Sequence, residues 1–335
     1  MDQTHLTPSR QDVADWLTRC GLASSPSDVT RIVSVGDGNM NFVYRVTVDG
    51  RTVIVKRSVP YVAKYPQIPA PVQRIATEIE FYRFVVDDSD LSESMPRLLG
   101  SDAEGHTMVL DAVEHGGDWR KLYDPEHSDL VENVFDHAAN WLRHLHGIEP
   151  PESIQCAPLR QLNHSHWFGL PLSRPAVIEL DAVSPGLDHA TDSVRGDGAV
   201  RRGLDRIGKR YLDPMSCPTR RLLHGDYFPG AWLDIGTAGI CVIDPEFAFV
   251  GPPEFDLGVL IAHHRFCGGQ VANEDRWIQD HASTIRLDPE WVEAVAASEM
   301  MRRLLGVAQL PLVADTDRRV LWIEQAAECL RRFAD

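Results

Sequence analysis

Apolar and polar positions change their period along the chain. Residues 9 to 20, closed by Gly21, show helical spacing and predict a short amphipathic helix. The pattern then turns to strands over residues 31–35, 42–48 and 52–56. The last two flank Asp49-Gly50-Arg51, and β-branched runs around an Asp-Gly turn predict a hairpin. A helix is expected over about 72–86 and another strand at 107–110. Beyond this the spacing is mainly helical: about 130–147, stopping at Gly147 before Pro150-Pro151, then 254–264, 289–305 and 317–333. Residues 151–200, rich in Pro, Gly, Ser and His, read as loops and short helices. A short β-rich insert runs from Leu222 to Asp244. The expectation is an α+β, bilobal fold: a small β-rich N-lobe over residues 1–111 and a larger, mainly helical C-lobe over residues 112–335.

Composition narrows the partners. Lys plus Arg number 33 against 49 Asp plus Glu, a net charge of −16, which argues against nucleic acid or an anionic membrane as partner. Hydrophobic residues at 43% and charged residues at 24% fit a soluble globular chain. Cys20, Cys156, Cys217, Cys241, Cys267 and Cys329 are far apart with no C-x-x-C pair, so they read as buried thiols. The first residues lack a basic and apolar leader, and no apolar run reaches the ~18 residues of a membrane span, so a cytoplasmic location is expected. Only four residues are lysines: Lys56, Lys64, Lys121 and Lys209.

Four local signals carry chemistry. Gly36-Asp37-Gly38-Asn39-Met40-Asn41 lies between two strands, where glycines let a backbone approach a phosphate; a plain β-turn explains it about as well. Lys56 closes the apolar run Val53-Ile54-Val55, and a buried lysine needs a partner. On the helix that follows, Glu78 falls in the stripe of Ile75, Phe81, Tyr82 and Val85, whereas Glu80 falls on the opposite side. Glu78 is therefore the expected partner. His224-Gly225-Asp226 and Asp244-Pro245-Glu246 each put a carboxylate just past an apolar β-like segment. Clustered carboxylates repel unless a cation neutralises them, so the pair reads as a magnesium site plus a base.

This order of glycine loop, strand lysine, helix glutamate, H-x-D loop and late aspartate resembles protein-kinase-like phosphotransferases. Within them, the H-G-D loop resembles the aminoglycoside phosphotransferase family. Asp244-Pro245-Glu246 in place of D-F-G, with the twin Arg302-Arg303, is similar to the methylthioribose kinases. The resemblance implies that Asp226 orients and deprotonates the acceptor hydroxyl and that Asp244 and Glu246 hold Mg2+. It implies that Lys56, placed by Glu78, contacts the ATP phosphates under Gly36, Gly38, Asn39 and Asn41. Leu110 to Val113 would receive adenine, Asp256 would brace the catalytic loop, and Arg302 and Arg303 would reach the substrate or the transferring phosphoryl group.

The implied enzyme is an ATP- and magnesium-dependent kinase of a small hydroxyl-bearing molecule, methylthioribose or a related pentose derivative, with a homodimer left open. An antibiotic phosphotransferase and an inactive nucleotide-binding scaffold are the alternatives. Two features depart from the family pattern. Ala231 stands where many relatives place a metal-binding Asn, and Tyr227 to Trp232 is unusually aromatic. Trp167, in Asn163-His164-Ser165-His166-Trp167-Phe168, is a candidate for sugar recognition. His263-His264 and His144 with His146 read as packed or surface residues, and Arg201-Arg202 as solvated.

Overall fold

The computed structural model describes residues 9–35, 40–152 and 154–334 of the chain. The chain forms two compact units. One runs to His115 and also includes Cys241–Phe247; the other comprises Gly116–Ile240 and the chain from Ala248 onward. Cys241–Phe247 is tied into the first unit by its backbone, the Val242 N–H donating to the Ser94 carbonyl at 2.7 Å.

In the first unit, α1 (Arg10–Arg19) begins at Ser9, whose side chain accepts from the Asp12 N–H while the Asp12 carboxylate accepts from the Ser9 N–H. This reciprocal cap satisfies two otherwise orphaned donors. Strands β1 (Val29–Ser34), β2 (Phe42–Val48) and β3 (Arg51–Arg57) precede α2 (Arg74–Val85), β4 (Leu98–Asp102) and β5 (Thr107–Asp111). They form one antiparallel sheet in the order β1-β2-β3-β5-β4. Asp49 and Gly50 both have positive φ, at 48° and 75°, the conformation that a two-residue hairpin loop requires. The period of two sends Val53 and Val55 into a core with Val46, Val109 and, from α1, Val13 and Leu17. Lys56, next along β3, is thereby turned to the opposite face, where it is buried. Strand β4 was not anticipated, since Leu98-Leu99-Gly100 does not alternate.

The second unit is mainly helical. Its principal elements are α3 (Val131–Gly147), α4 (Gly198–Leu212), the short antiparallel pair β6 (Arg221–Leu223) and β7 (Phe249–Gly251), then α5 (Glu254–Phe266), α6 (Pro289–Leu305) and α7 (Thr316–Arg332). Helix α5 is buried nearly all round, consistent with its run of apolar residues. It approaches α6 so closely that a Cβ on Gly258 would lie 2.6 Å from Val295 Cγ1 and 2.9 Å from the Val292 carbonyl. Residues 151–200 hold short helices, including Ala157–His164 and Leu187–Arg195. Arg201 is not solvated as expected: it donates to the Leu172 carbonyl at 2.7 Å.

Candidate active site

The first unit gathers a charged cluster around the end of β3. Lys56 is 4% exposed, and its ammonium donates to Glu78 Oε1 and to Asp244 Oδ1, both at 2.9 Å. Glu78 Oε2 lies 2.7 Å from the same nitrogen. The pairing read from the helical stripe is present because α2 turns Ile75, Ile79, Phe81, Tyr82 and Glu78 inward together. Asp244 carries a positive φ of 62°, uncommon outside glycine, and its side chain remains 53% exposed.

Glu246 is held by a second thread from the same helix. Asn41 Nδ2 donates to Glu246 Oε2 at 2.7 Å, and Asn41 Oδ1 accepts from Arg74 Nε and Ser58 Oγ, each at 2.9 Å. Arg74, fully buried one turn before Glu78, also donates to the Met40 carbonyl at 2.6 Å and lies 3.7 Å from Glu246. Asn41 is thus a buried strut for Glu246, where the sequence placed it over a phosphate. Gly36, Gly38 and Asn39 lie outside the described residues. Leu110 is buried at the end of β5, in register with Ile54, and Val113 is half-buried just beyond it.

Three carboxylates therefore face two cations. Burial pushes the Glu78 carboxyl up to about 7 although Lys56 opposes this, and burial raises Glu246 as well, with Asp244 adding to both shifts. Lys56 stays protonated, because Asp244, Glu78 and Glu246 outweigh its burial. The surplus negative charge and the half-exposed Asp244 oxygens suit a hard dication with oxygen ligands. Asp244 and Glu246 are the residues that would hold it.

The second unit builds around Asp226. The β6–β7 pairing delivers the chain to His224-Gly225-Asp226, with Gly225 at φ 87°. Asp256 of α5 accepts from the His224 and Gly225 N–H groups at 2.6 and 2.9 Å and so fixes the loop. Tyr227 donates to the Ala138 carbonyl at 3.0 Å and stacks on Trp141. Both arginines of α6 reach one oxygen: Arg302 Nη2 lies 2.6 Å and Arg303 Nη2 3.1 Å from Asp226 Oδ1. Burial pushes the Asp226 carboxyl up, but the two guanidiniums outweigh it and hold it below its ordinary value.

Aromatic rings back both arginines. Arg302 lies 4.9 Å over Trp167 and Arg303 4.4 Å over Phe228. Trp167 is 1% exposed and stacks on Phe168, so its side chain is core rather than a sugar contact, with Arg302 over its ring face. Its neighbour His166 is drawn down to about 4 by burial and the two arginines, and is neutral. Ala231 is buried in a turn and offers no ligand atom. The sequence reading missed Glu299 and Tyr123 and took His263 as packed or surface; all three stand behind the arginines, His263 fully buried. An acid inside the apolar stretch of α6 was the available signal.

A β-sheet unit with a lysine–glutamate–aspartate cluster and a helical unit with a braced H-G-D loop define a kinase-like phosphotransferase. The chain belongs to the phosphotransferase enzyme family, whose model matches residues 31–294. It is 24% identical to the methylthioribose kinase of Pectobacterium atrosepticum, over 94% of this chain and 90% of that one. It is also 24% identical to the methylthioribose kinase of Yersinia pseudotuberculosis, over 77% of this chain but only 64% of that one. Among solved structures it is similar to the choline kinase LicA from Streptococcus pneumoniae, with a TM-score of 0.54 and 15% identity over 90% of this chain and 94% of that one. A complex of LicA with AMP gives a TM-score of 0.56 at 16% identity, over 96% and 98%.

Proposed function

We propose that this protein is a cytoplasmic kinase that transfers the γ-phosphoryl group of ATP to a hydroxyl of methylthioribose or a closely related pentose derivative. Lys56, fixed by Glu78, binds the nucleotide phosphates. Asp244 and Glu246 hold magnesium, which when bound neutralises charge on the phosphate oxygens. Asp226 accepts a hydrogen bond from the acceptor hydroxyl and turns its oxygen towards phosphorus. Its depressed basicity makes orientation its main contribution: the acceptor P–O bond forms as the bond from phosphorus to the ADP oxygen breaks, ADP leaves, and the hydroxyl proton passes late to the Asp226 carboxylate. Arg302 and Arg303 offset the charge of Asp226 and lie ready for the transferring group. The observation that carries the reading is the convergence of these two late arginines on the catalytic-loop carboxylate. The methylthioribose kinase relatives support the choice of acceptor.

The test is ATP consumption with magnesium against a panel of methylthioribose, other pentoses, nucleosides, choline and aminoglycosides. Turnover on methylthioribose is the expected result. Turnover confined to an antibiotic or to choline overturns the acceptor, and none on any compound overturns the activity.

A further inference from the structure

Behind Asp226 lies a carboxylate that the steps above do not use. Glu299, on α6 just before the twin arginines, has no exposed surface. Its Oε1 accepts from Arg303 Nε at 2.6 Å and lies 3.1 Å from His263 Nε2. Its Oε2 is 3.0 Å from Arg302 Nε, an ion-pair contact outside hydrogen-bond geometry. On the far side of His263, Nδ1 is 2.5 Å from the Tyr123 hydroxyl.

The protonation of this chain of contacts follows from its members. Burial pushes the Glu299 carboxyl up, but Arg302, Arg303 and the His263 hydrogen bond outweigh it, so Glu299 is ionised and can only accept. Burial draws His263 down to about 4, leaving one ring N–H. That hydrogen belongs on Nε2, facing Glu299, and Nδ1 then accepts from Tyr123. Every contact so assigned pairs a donor with an acceptor.

The arginines are divided between two acids. Each gives its Nε side to Glu299 and an Nη2 to Asp226. A guanidinium is a rigid plane, so holding its Nε edge, by a hydrogen bond in Arg303 and by an ion-pair contact in Arg302, biases where Nη2 points. We propose that Glu299 is a positioning residue for phosphoryl transfer: it aims both Nη2 groups at Oδ1 of Asp226 and so reserves Oδ2 for the acceptor hydroxyl. His263 and Tyr123 hold Glu299 in place from behind. This rests on the reading of Asp226 as the acceptor-orienting group.

Glu299→Gln keeps the shape and removes the charge. It is measured with ATP, magnesium and methylthioribose beside wild type, Asp226→Asn and the double variant. The expected result is a kcat lower by about 30- to 100-fold with the KM for ATP within about twofold, and a further loss of less than about threefold when Asp226 is already Asn. Retention of about a third of wild-type kcat, or the full loss repeated in the Asp226→Asn background, overturns the proposal. Should Glu299→Gln not fold, Tyr123→Phe removes a single hydroxyl. A kcat lower by about 3- to 10-fold at unchanged ATP KM is expected, and an unchanged kcat overturns the proposal. Urea midpoints of the four proteins read the same coupling without any acceptor. Shifts smaller than additive are expected, and additive shifts overturn the proposal even if methylthioribose is not the substrate. A wild type inactive on methylthioribose with coupled midpoints refutes the acceptor alone.

Discussion

The Lys56 ammonium donates to Glu78 and to Asp244 over equal distances of 2.9 Å, joining β3, α2 and the Asp244-Pro245-Glu246 segment at a single nitrogen. No other cation could take that place unchanged: an ammonium offers three donors on a slim stem, and a guanidinium needs a planar slot.

Lys56→Met leaves buried carboxylates facing one another without their cation. Removing one partner of a buried ion pair costs about 3 kcal/mol, visible as a lower urea midpoint. In the proposed reaction turnover falls about 100-fold or more, since charge stabilisation on the phosphates would go with it. Lys56→Arg stays close to the Met variant in kcat; a return to wild-type rate contradicts the cluster's role.

Stability should depend on pH in the metal-free protein. The Glu78 carboxyl titrates at about 7 when folded and ordinarily at 4.5, so between these values the native protein holds a proton that the unfolded chain has released. This group's contribution therefore weakens as pH rises from about 5 to 7 and then levels off. Asp226 and Glu299 are shifted the other way, and their contribution is lost only as pH falls through their lowered values. Because a dication displaces the retained proton, the rise in melting temperature on adding Mg2+ is expected to be larger at pH 8 than at pH 6. An equal rise at both removes Glu78 from the metal's electrostatics.

Asp226→Asn should lower kcat by roughly 10²- to 10⁴-fold, the scale of a charged group positioned at the reacting hydroxyl. The KM for ATP should stay within about twofold, because in the proposed reaction the carboxylate serves the acceptor. Steady-state kinetics on the acceptor found by the panel give both numbers, and near-wild-type turnover rejects the assignment.

Asn41→Ala removes the strut under Glu246. Orphaning buried polar partners costs about 1–3 kcal/mol of stability. The Glu246 carboxyl, already raised by burial, loses the hydrogen bond that opposes the rise. The Mg2+ concentration for half-maximal thermal stabilisation should climb several-fold. An unchanged titration assigns Asn41 to the fold alone.

What the sequence disclosed depended on whether neighbours along the chain report burial. Glu78 could be paired with Lys56 because a lone acid in an apolar helical stripe has to meet a cation, and the stripe is visible in the spacing. The same argument applies to Glu299 among Val292, Val295, Ala296 and Met300, all buried on α6. It went undrawn because its cations are its own helix neighbours and leave no distant lysine to search for. Trp167 was misplaced because spacing in an irregular segment does not tell which way a ring turns. Its stacking on Phe168 and edge contact with Tyr211 settle that only in three dimensions. Asn41 read as a loop residue because Arg74 and Glu246, which it bridges, lie 33 and 205 residues away.

The assignment of Cys241–Phe247 to the first unit constrains how such a chain can be recombined. A crossover near residue 115 would carry Lys56 and Glu78 into a hybrid together with a foreign Asp244 and Glu246, separating groups whose charges are balanced against one another. Chimeras between relatives that preserve the cluster need three junctions, at 115, 240 and 247, so the heptapeptide travels with the unit it belongs to. The seven residues are inherited with a partner more than a hundred positions away, and homologous exchange that respects only linear order breaks the set.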